Sequence, residues 1–175
     1  MDQRMRHDAT DNPPSVIADN RKQSLRIFSV DPAHPDAVQL LDELSDTLTA
    51  ITGSSGKTSF DPDDVRGPRA HFVIARNGDG IAIGCGAFRP LQEGIAEIKR
   101  MYARPGNHGT GSAILAALEA EAKMLGYRAL WLETRLVNQR AVGFYESRGY
   151  TRIENFGKYA GNALAACFEK IISPS

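Results

Sequence analysis

The stretch EIKRMYARPGNHGTGSAILAALEAEAKML, Glu97 to Leu125, decides the fold. It opens as a strand in which Ile95, Ile98, Met101 and Tyr102 supply bulk, with the charges of Glu97, Lys99 and Arg100 interleaved among them. Pro105 has no amide hydrogen for a ladder and biases Arg104 toward extended backbone, so the strand should stop there. The turn GNHGTGS follows, with Gly106, Gly109 and Gly111 close together. Leu115, Leu118, Ala122 and Leu125 then recur at spacings of three and four, one face of a helix. Gly126 stands where such a helix ends.

Strand, glycine-rich turn and helix together suit an anion. Glycines let backbone approach a ligand closely, and the first amides of a helix lack internal partners. The helix end carries about half a positive charge, which favours phosphate there. Gly109, Thr110, Gly111 and Ser112 would supply the amides, with His108 either a turn residue or a phosphate contact. Taken alone, the stretch reads equally well as a tight turn before a core helix.

Outward from this centre the chain is an ordinary globule. It has 175 residues, enough for one sizeable core. Its 21 basic and 21 acidic side chains cancel, which leaves no charge argument for nucleic acid or an anionic membrane surface. No apolar run approaches the ~20 residues of a membrane span, and no early apolar run reads as a signal peptide. Cys85 and Cys167 sit in apolar, strand-like segments and read as reduced core residues of a cytoplasmic protein. No His, Cys and carboxylate cluster has ligand spacing, so no metal is expected.

Residues 1–22 are polar and aperiodic, which predicts a flexible tail ahead of one domain spanning 23–175. Ser24 to Val30 reads as a first strand. Asp36 to Ile51 reads as a helix whose Val38, Leu41, Leu44 and Leu48 share the inward face. Gly56-Lys57-Thr58 resembles the end of a P-loop, but Ile51 stands where its first glycine belongs and a helix precedes it. The segment 52–60 is instead a solvated loop or a cover over a substrate pocket, with Lys57, Ser59 and Phe60 as contacts. Asp61 to Asp64 reads as a short helical start.

Ala70 to Arg76 and Ile81 to Pro90 form a hairpin about Asn77-Gly78-Asp79-Gly80. Gly84 and Gly86 inside its second arm predict a bulge or a close approach by another segment. Ala129 to Thr134 is a fifth strand, parallel to the fourth because a helix crosses between them. Asn138 caps a second crossing helix, Gln139 to about Arg148, with Ala141, Val142, Phe144 and Tyr145 facing inward. Gly149 ends it, and two further strands close the chain near Tyr150–Ile153 and Ala163–Ile172.

The order of elements, the EIKRMYARP strand, the glycine turn and the run from Asn138 through FYESRGY (Phe144 to Tyr150) resemble the GNAT superfamily of acyl-CoA-dependent N-acyltransferases. The resemblance covers roughly Leu25 to Ile172. It implies an α/β fold with a mixed, mostly antiparallel sheet flanked by helices and split at a central cofactor cleft. It also implies acetyl-CoA as co-substrate, with the backbone of Met101, Tyr102 and Ala103 polarising the thioester carbonyl where the fourth and fifth strands part. Tyr145 occupies the family's tyrosine position and would protonate the departing sulfur. Asn138 would cap its helix, touch the pantetheine arm, or both. One departure stands out: between Pro105 and Gly109 the turn is about two residues short of the family pattern, and Gly106 or Asn107 replaces its basic or amide residue. Arg104 could bend inward in compensation.

An alkyl ammonium of pKa ~10.4 costs ~4.6 kcal/mol to deprotonate at pH 7, so a base or a water path to one is useful. Glu97 is the candidate base, or else an exposed carboxylate on a strand. The expected reaction moves an acetyl group from acetyl-CoA to a primary amine, the acceptor being a small molecule. A protein acceptor, or a binding or regulatory module on the same fold with weak catalysis, is the alternative. A homodimer is left open.

Overall fold

The computed structural model describes residues 24–173, and the expected tail, 1–22, lies outside them. The hydrophobic alternation noted above produces a seven-stranded sheet in the order β1-β2-β3-β4-β5-β7-β6. Its strands are β1 (Arg26–Ser29), β2 (His71–Arg76), β3 (Ala82–Gln92), β4 (Ile95–Ala103), β5 (Ala129–Arg135), β6 (Thr151–Ile153) and β7 (Ala165–Ile171). Among the described residues only the β4–β5 pair is parallel, as a helical crossover requires. The last strand inserts between β5 and β6, pairing antiparallel with both.

Alternation along β2 sorts the core into two layers. Val73 and Ala75 face α2 (Thr110–Met124), packing with Ile114, Leu115 and Leu118. Phe72 and Ile74 face α1 (Pro35–Thr52), packing with Ala37 and Leu40. The inward face of α1 is therefore Ala37, Leu40, Leu44 and Ser45, not the predicted face led by Val38, which is exposed. The spacing was right and the phase was off by about one position, because Leu41 and Leu48 lie at the edge of the buried stripe. β1 is shorter than expected, and α3 (Gln139–Glu146) stops before Arg148, with Gly149 in the left-handed region after it.

The two glycines of β3 mark a close approach. A β-carbon on Gly86 would lie 2.6 Å from both Ile114 Cγ2 and Met101 Sδ, and one on Gly84 would lie 2.7 Å from the Tyr102 carbonyl. α2 thus rests nearly on the backbone of β3. β4 carries an extra residue opposite this point: Ala87 pairs with Lys99 and Cys85 with Tyr102, so two steps on β3 meet three on β4. Arg100 takes a left-handed φ of 55° at this bulge. The extra residue reverses the alternation, so Ala96, Ile98 and then Met101 pack toward α2, while Tyr102 joins the layer under α1.

Candidate functional site

β4 and β5 begin as a parallel pair and then separate. Ile95, Ala96 and Glu97 pair with Ala129, Leu130 and Trp131, and no pairing continues beyond them. Among the described residues the β4 edge from Ile98 to Ala103 therefore has no strand partner on that side, and Ile98, Lys99, Arg100 and Met101 line an open cleft of about 340 Å³. The 52–59 segment lines the other side through Thr52, Ser54, Gly56, Thr58 and Ser59. It is a cover over the cleft, though Lys57 turns outward to Asp42 at 3.8 Å.

The glycine turn behaves as its composition demands. Gly106 and Gly109 have φ of 82° and 83°, a region that side chains strain to enter, and Gly109 is the N-cap of α2. A β-carbon on either would meet nothing within 4 Å, so the turn is open to a ligand. His108 is exposed, whereas Thr110 is buried and packs against Gly84. Gly111 and Ser112 lie in the first turn of α2, whose amides lack intrahelical partners at the positive helix end. Arg104 does not compensate for the short turn. Its guanidinium is clamped to Glu43 at 2.7–3.1 Å and to the Ala82 carbonyl at 2.7 Å, tying β4 to α1. The cation that reaches the α2 N-terminus is Arg148, whose Nε donates to Ser112 Oγ at 3.0 Å while its plane covers Phe144.

α3 brings the next group. Asn138 caps it, its side-chain oxygen accepting from the Ala141 amide at 3.3 Å, and also lines the cleft. Tyr145, about two turns on, packs edge-on against Phe144 and Tyr150 and is nearly buried. Its hydroxyl has no hydrogen-bond partner among the described residues, yet the side chain borders the cleft. Burial pushes this phenol well above its ordinary value, so it stays protonated. Met101 also lines the cleft, while the side chain of Tyr102 packs under α1.

Glu97 is not an exposed strand carboxylate. It is 1 % exposed, and Arg89 donates to its Oε2 at 2.7–2.8 Å while Lys99 lies 3.5 Å from Oε1. Both of its oxygens thus already face cations. Glu133, on β5, differs: its Oε1 is buried without a hydrogen bond, and Arg135 Nη1 stands 3.4 Å away at an angle too poor to make one. Burial raises its pKa above the usual carboxylate range, with Arg135 opposing in part. A raised carboxyl and a protonated phenol thus border one cleft, the pattern of a base and an acid.

Residues 37–150 match the profile of the acetyltransferase (GNAT) family. The chain belongs to the GNAT acetyltransferase family. An IAA acetyltransferase of Azospirillum brasilense is 30 % identical over 142 residues, covering 79 % of this chain and 92 % of its own. An uncharacterized N-acetyltransferase of Escherichia coli, YjgM, is 29 % identical over 59 % of this chain and 68 % of its own. Among solved structures, a Klebsiella pneumoniae chain provisionally assigned as an acyl-CoA N-acyltransferase superposes with a TM-score of 0.71 at 28 % identity, covering 85 % of this chain and 98 % of that one. The PaiA N-acetyltransferase of Thermoplasma acidophilum, solved with coenzyme A, gives 0.62 at 17 % identity over 85 % and 99 %, a likeness of fold.

This GNAT chain is thus an acyltransferase whose sheet, split between β4 and β5, follows the family architecture. Among the cleft's polar residues that sequence reasoning missed are Glu133, Arg100, Lys158 and Tyr159. The signal for Glu133 was a lone carboxylate in the otherwise apolar run ALWLET. For Arg100 it was the break in alternation between Ile98 and Met101. Among the described residues no three His, Cys, Asp or Glu side chains are grouped to hold a metal.

Proposed function

We propose that this protein transfers the acetyl group of acetyl-CoA to the primary amine of a small molecule. The reading rests on one observation: the parting of β4 from β5 opens a cleft bordered by an unpartnered strand edge, a protonated phenol and a carboxyl of raised pKa. The residues fit the co-substrate. An open left-handed glycine turn, first-turn amides and Arg148 suit a pyrophosphate, and the β4 edge suits an acylated arm.

Acetyl-CoA supplies the activated acyl group; the protein supplies protons and orientation. Amides of the β4 edge between Met101 and Ala103 donate to the carbonyl oxygen as charge grows there. Glu133 removes the proton that the acceptor ammonium must lose, directly or through water, and we place it ahead of Glu97 because its oxygen is not already engaged. Tyr145 hands its proton to the leaving sulfur as the C–S bond breaks, so that a neutral thiol departs, and the phenolate regains a proton from solvent before the next turnover. Asn138 holds α3, and with it Tyr145, against the cleft.

The free, buried thiols Cys85 and Cys167 agree with a reducing cytoplasm, where we place the protein. A screen of amines with acetyl-CoA, scored by release of free thiol, tests the reading. The turn shortened between Pro105 and Gly109 is the one feature that favours a binding module instead. Acetyl-CoA binding by calorimetry with no amine or protein turned over would select that alternative.

A further inference from the structure

Several partly buried cations in this protein are paired with carboxylates. Arg104 meets Glu43, Arg76 meets Asp36 and Lys170 meets Glu119. Arg100, like Arg148, has no such partner among the described residues, and unlike Arg148 it lines the cleft. It stands on the β4 bulge with a left-handed backbone, its Nη1 donates to the Ser55 carbonyl at 3.2 Å, and its plane faces the Phe60 ring at 5.1 Å. No described carboxylate lies within 4.0 Å of it. Burial disfavours its charge, and the described charges around it offer no anion in return.

Its neighbours deepen the imbalance. Lys158 lines the same cleft, donating to the Ser59 carbonyl at 3.4 Å and lying over the Tyr159 ring at 5.6 Å, with no carboxylate within 4.0 Å among the described residues. Lys99 shares Glu97 with Arg89, and Arg135 faces Glu133. The cleft lining therefore presents four cations, Lys99, Arg100, Arg135 and Lys158, to two carboxylates, Glu97 and Glu133. A simple ammonium entering there would be repelled. An isolated cation in a desolvated wall is costly unless an anion arrives to meet it. A guanidinium with a free fork suits a carboxylate, which it can hold through two parallel hydrogen bonds.

We propose that the acceptor is a free amino acid or a close analogue, its carboxylate received by Arg100 with Lys158 beside it. This rests on the acetyl-transfer reading given above. The amine then lies in the part of the cleft bordered by Glu133 and Tyr145, and a side chain finds the apolar wall of Leu44 and Leu48. The neighbouring cations also favour a neutral amine over an ammonium, which eases the proton loss that acetylation needs.

The test compares matched pairs with acetyl-CoA: leucine against 3-methylbutylamine, phenylalanine against phenethylamine, and each amino acid against its methyl ester. The expected kcat/KM favours the amino acids by ~100-fold or more, because the analogue leaves a buried polar group unpaired. Arg100→Gln should shrink that ratio to within about tenfold, while calorimetry shows that the variant still binds acetyl-CoA. Should that variant fail to fold, Lys158→Gln, on the cleft rim, should reduce the ratio in the same direction. Amines and esters turned over as well as amino acids would overturn the inference and leave the acetyl-transfer reading standing. If nothing is turned over, amino acids and their decarboxylated amines are titrated into the protein directly. Amino-acid binding abolished by Arg100→Gln would sustain the carboxylate site and end the acetyl-transfer reading. Equal binding of both, or none of either, would end both.

Discussion

Arg148 lies over the ring of Phe144, 4.0 Å from its centre, and donates through Nε to Ser112 Oγ at 3.0 Å. The contact joins the end of α3 to the start of α2. It holds a positive charge where a helix dipole already favours an anion. Arg148→Ala should lower acetyl-CoA affinity roughly 10- to 100-fold, since a hydrogen bond to a charged group contributes ~1.5–3 kcal/mol. Calorimetry on the folded variant checks it. Unchanged affinity would make Arg148 a brace between two helices.

Tyr145→Phe retains the ring that packs between Phe144 and Tyr150 and removes only an unpartnered hydroxyl. Stability and acetyl-CoA affinity should hold. Turnover should fall by ~10²–10⁴ if the phenol is the general acid, or nearer tenfold if water partly replaces it. Turnover within twofold of the parent would reduce Tyr145 to packing.

Glu133→Gln should lower turnover by a similar ~10²–10⁴ if its carboxylate is the base. The parent's kcat/KM should rise with pH through a shoulder above the usual carboxylate range, and the variant should lack that shoulder. Stability gives an independent readout. A raised folded pKa means that the carboxyl favours the fold while protonated and loses that contribution as pH rises through the raised value. The glutamine variant should therefore melt higher than the parent at neutral pH, with the gain vanishing as pH falls to the ordinary carboxylate range. An equal melting difference at every pH would show that Glu133 is not raised.

Glu97→Gln should behave differently, as this carboxylate is held between Arg89 and Lys99 in the cleft lining. Removing one member of a buried pair strands the other charges, and about 2–4 kcal/mol of stability should go, Arg89 keeping part of its side chain in water. That corresponds to a melting drop of roughly 4–16 °C for a chain this size. Turnover per folded molecule should change less than in Glu133→Gln. The reverse order of activity losses would restore Glu97 as the base.

Gly86→Ala tests the seat of α2. The added carbon would sit 2.6 Å from Ile114 Cγ2 and Met101 Sδ, so the helix must shift. Overpacking of this kind costs ~1–3 kcal/mol, a melting drop of roughly 2–12 °C. Acetyl-CoA affinity should fall as well, because α2 carries the anion-binding turn. A variant of parental stability would mean that the β3–α2 contact yields easily.

The stretch from Glu97 to Leu125 determined a good deal without help. Pro105 ends β4, the glycines open the turn, and the three- and four-residue spacing builds α2; all are local effects of backbone geometry, legible in one dimension. The parallel β4–β5 pair followed from the helix between them, and the asparagine cap of α3 from its position before an apolar face. Tertiary structure decided what the charges do. Lys99 and Arg100 on β4, and Glu133 on β5, are charges set among apolar residues, as on a partly solvated strand. They become a cleft because the two strands part after Glu97 and Trp131, a relation between segments more than thirty residues apart. The bulge at Arg100, the inward turn of Lys158 and Tyr159, and the reach of Arg148 to Ser112 arise in the same way. Each depends on which distant backbone lies alongside, so the same side chain reads as surface in sequence and as site in space.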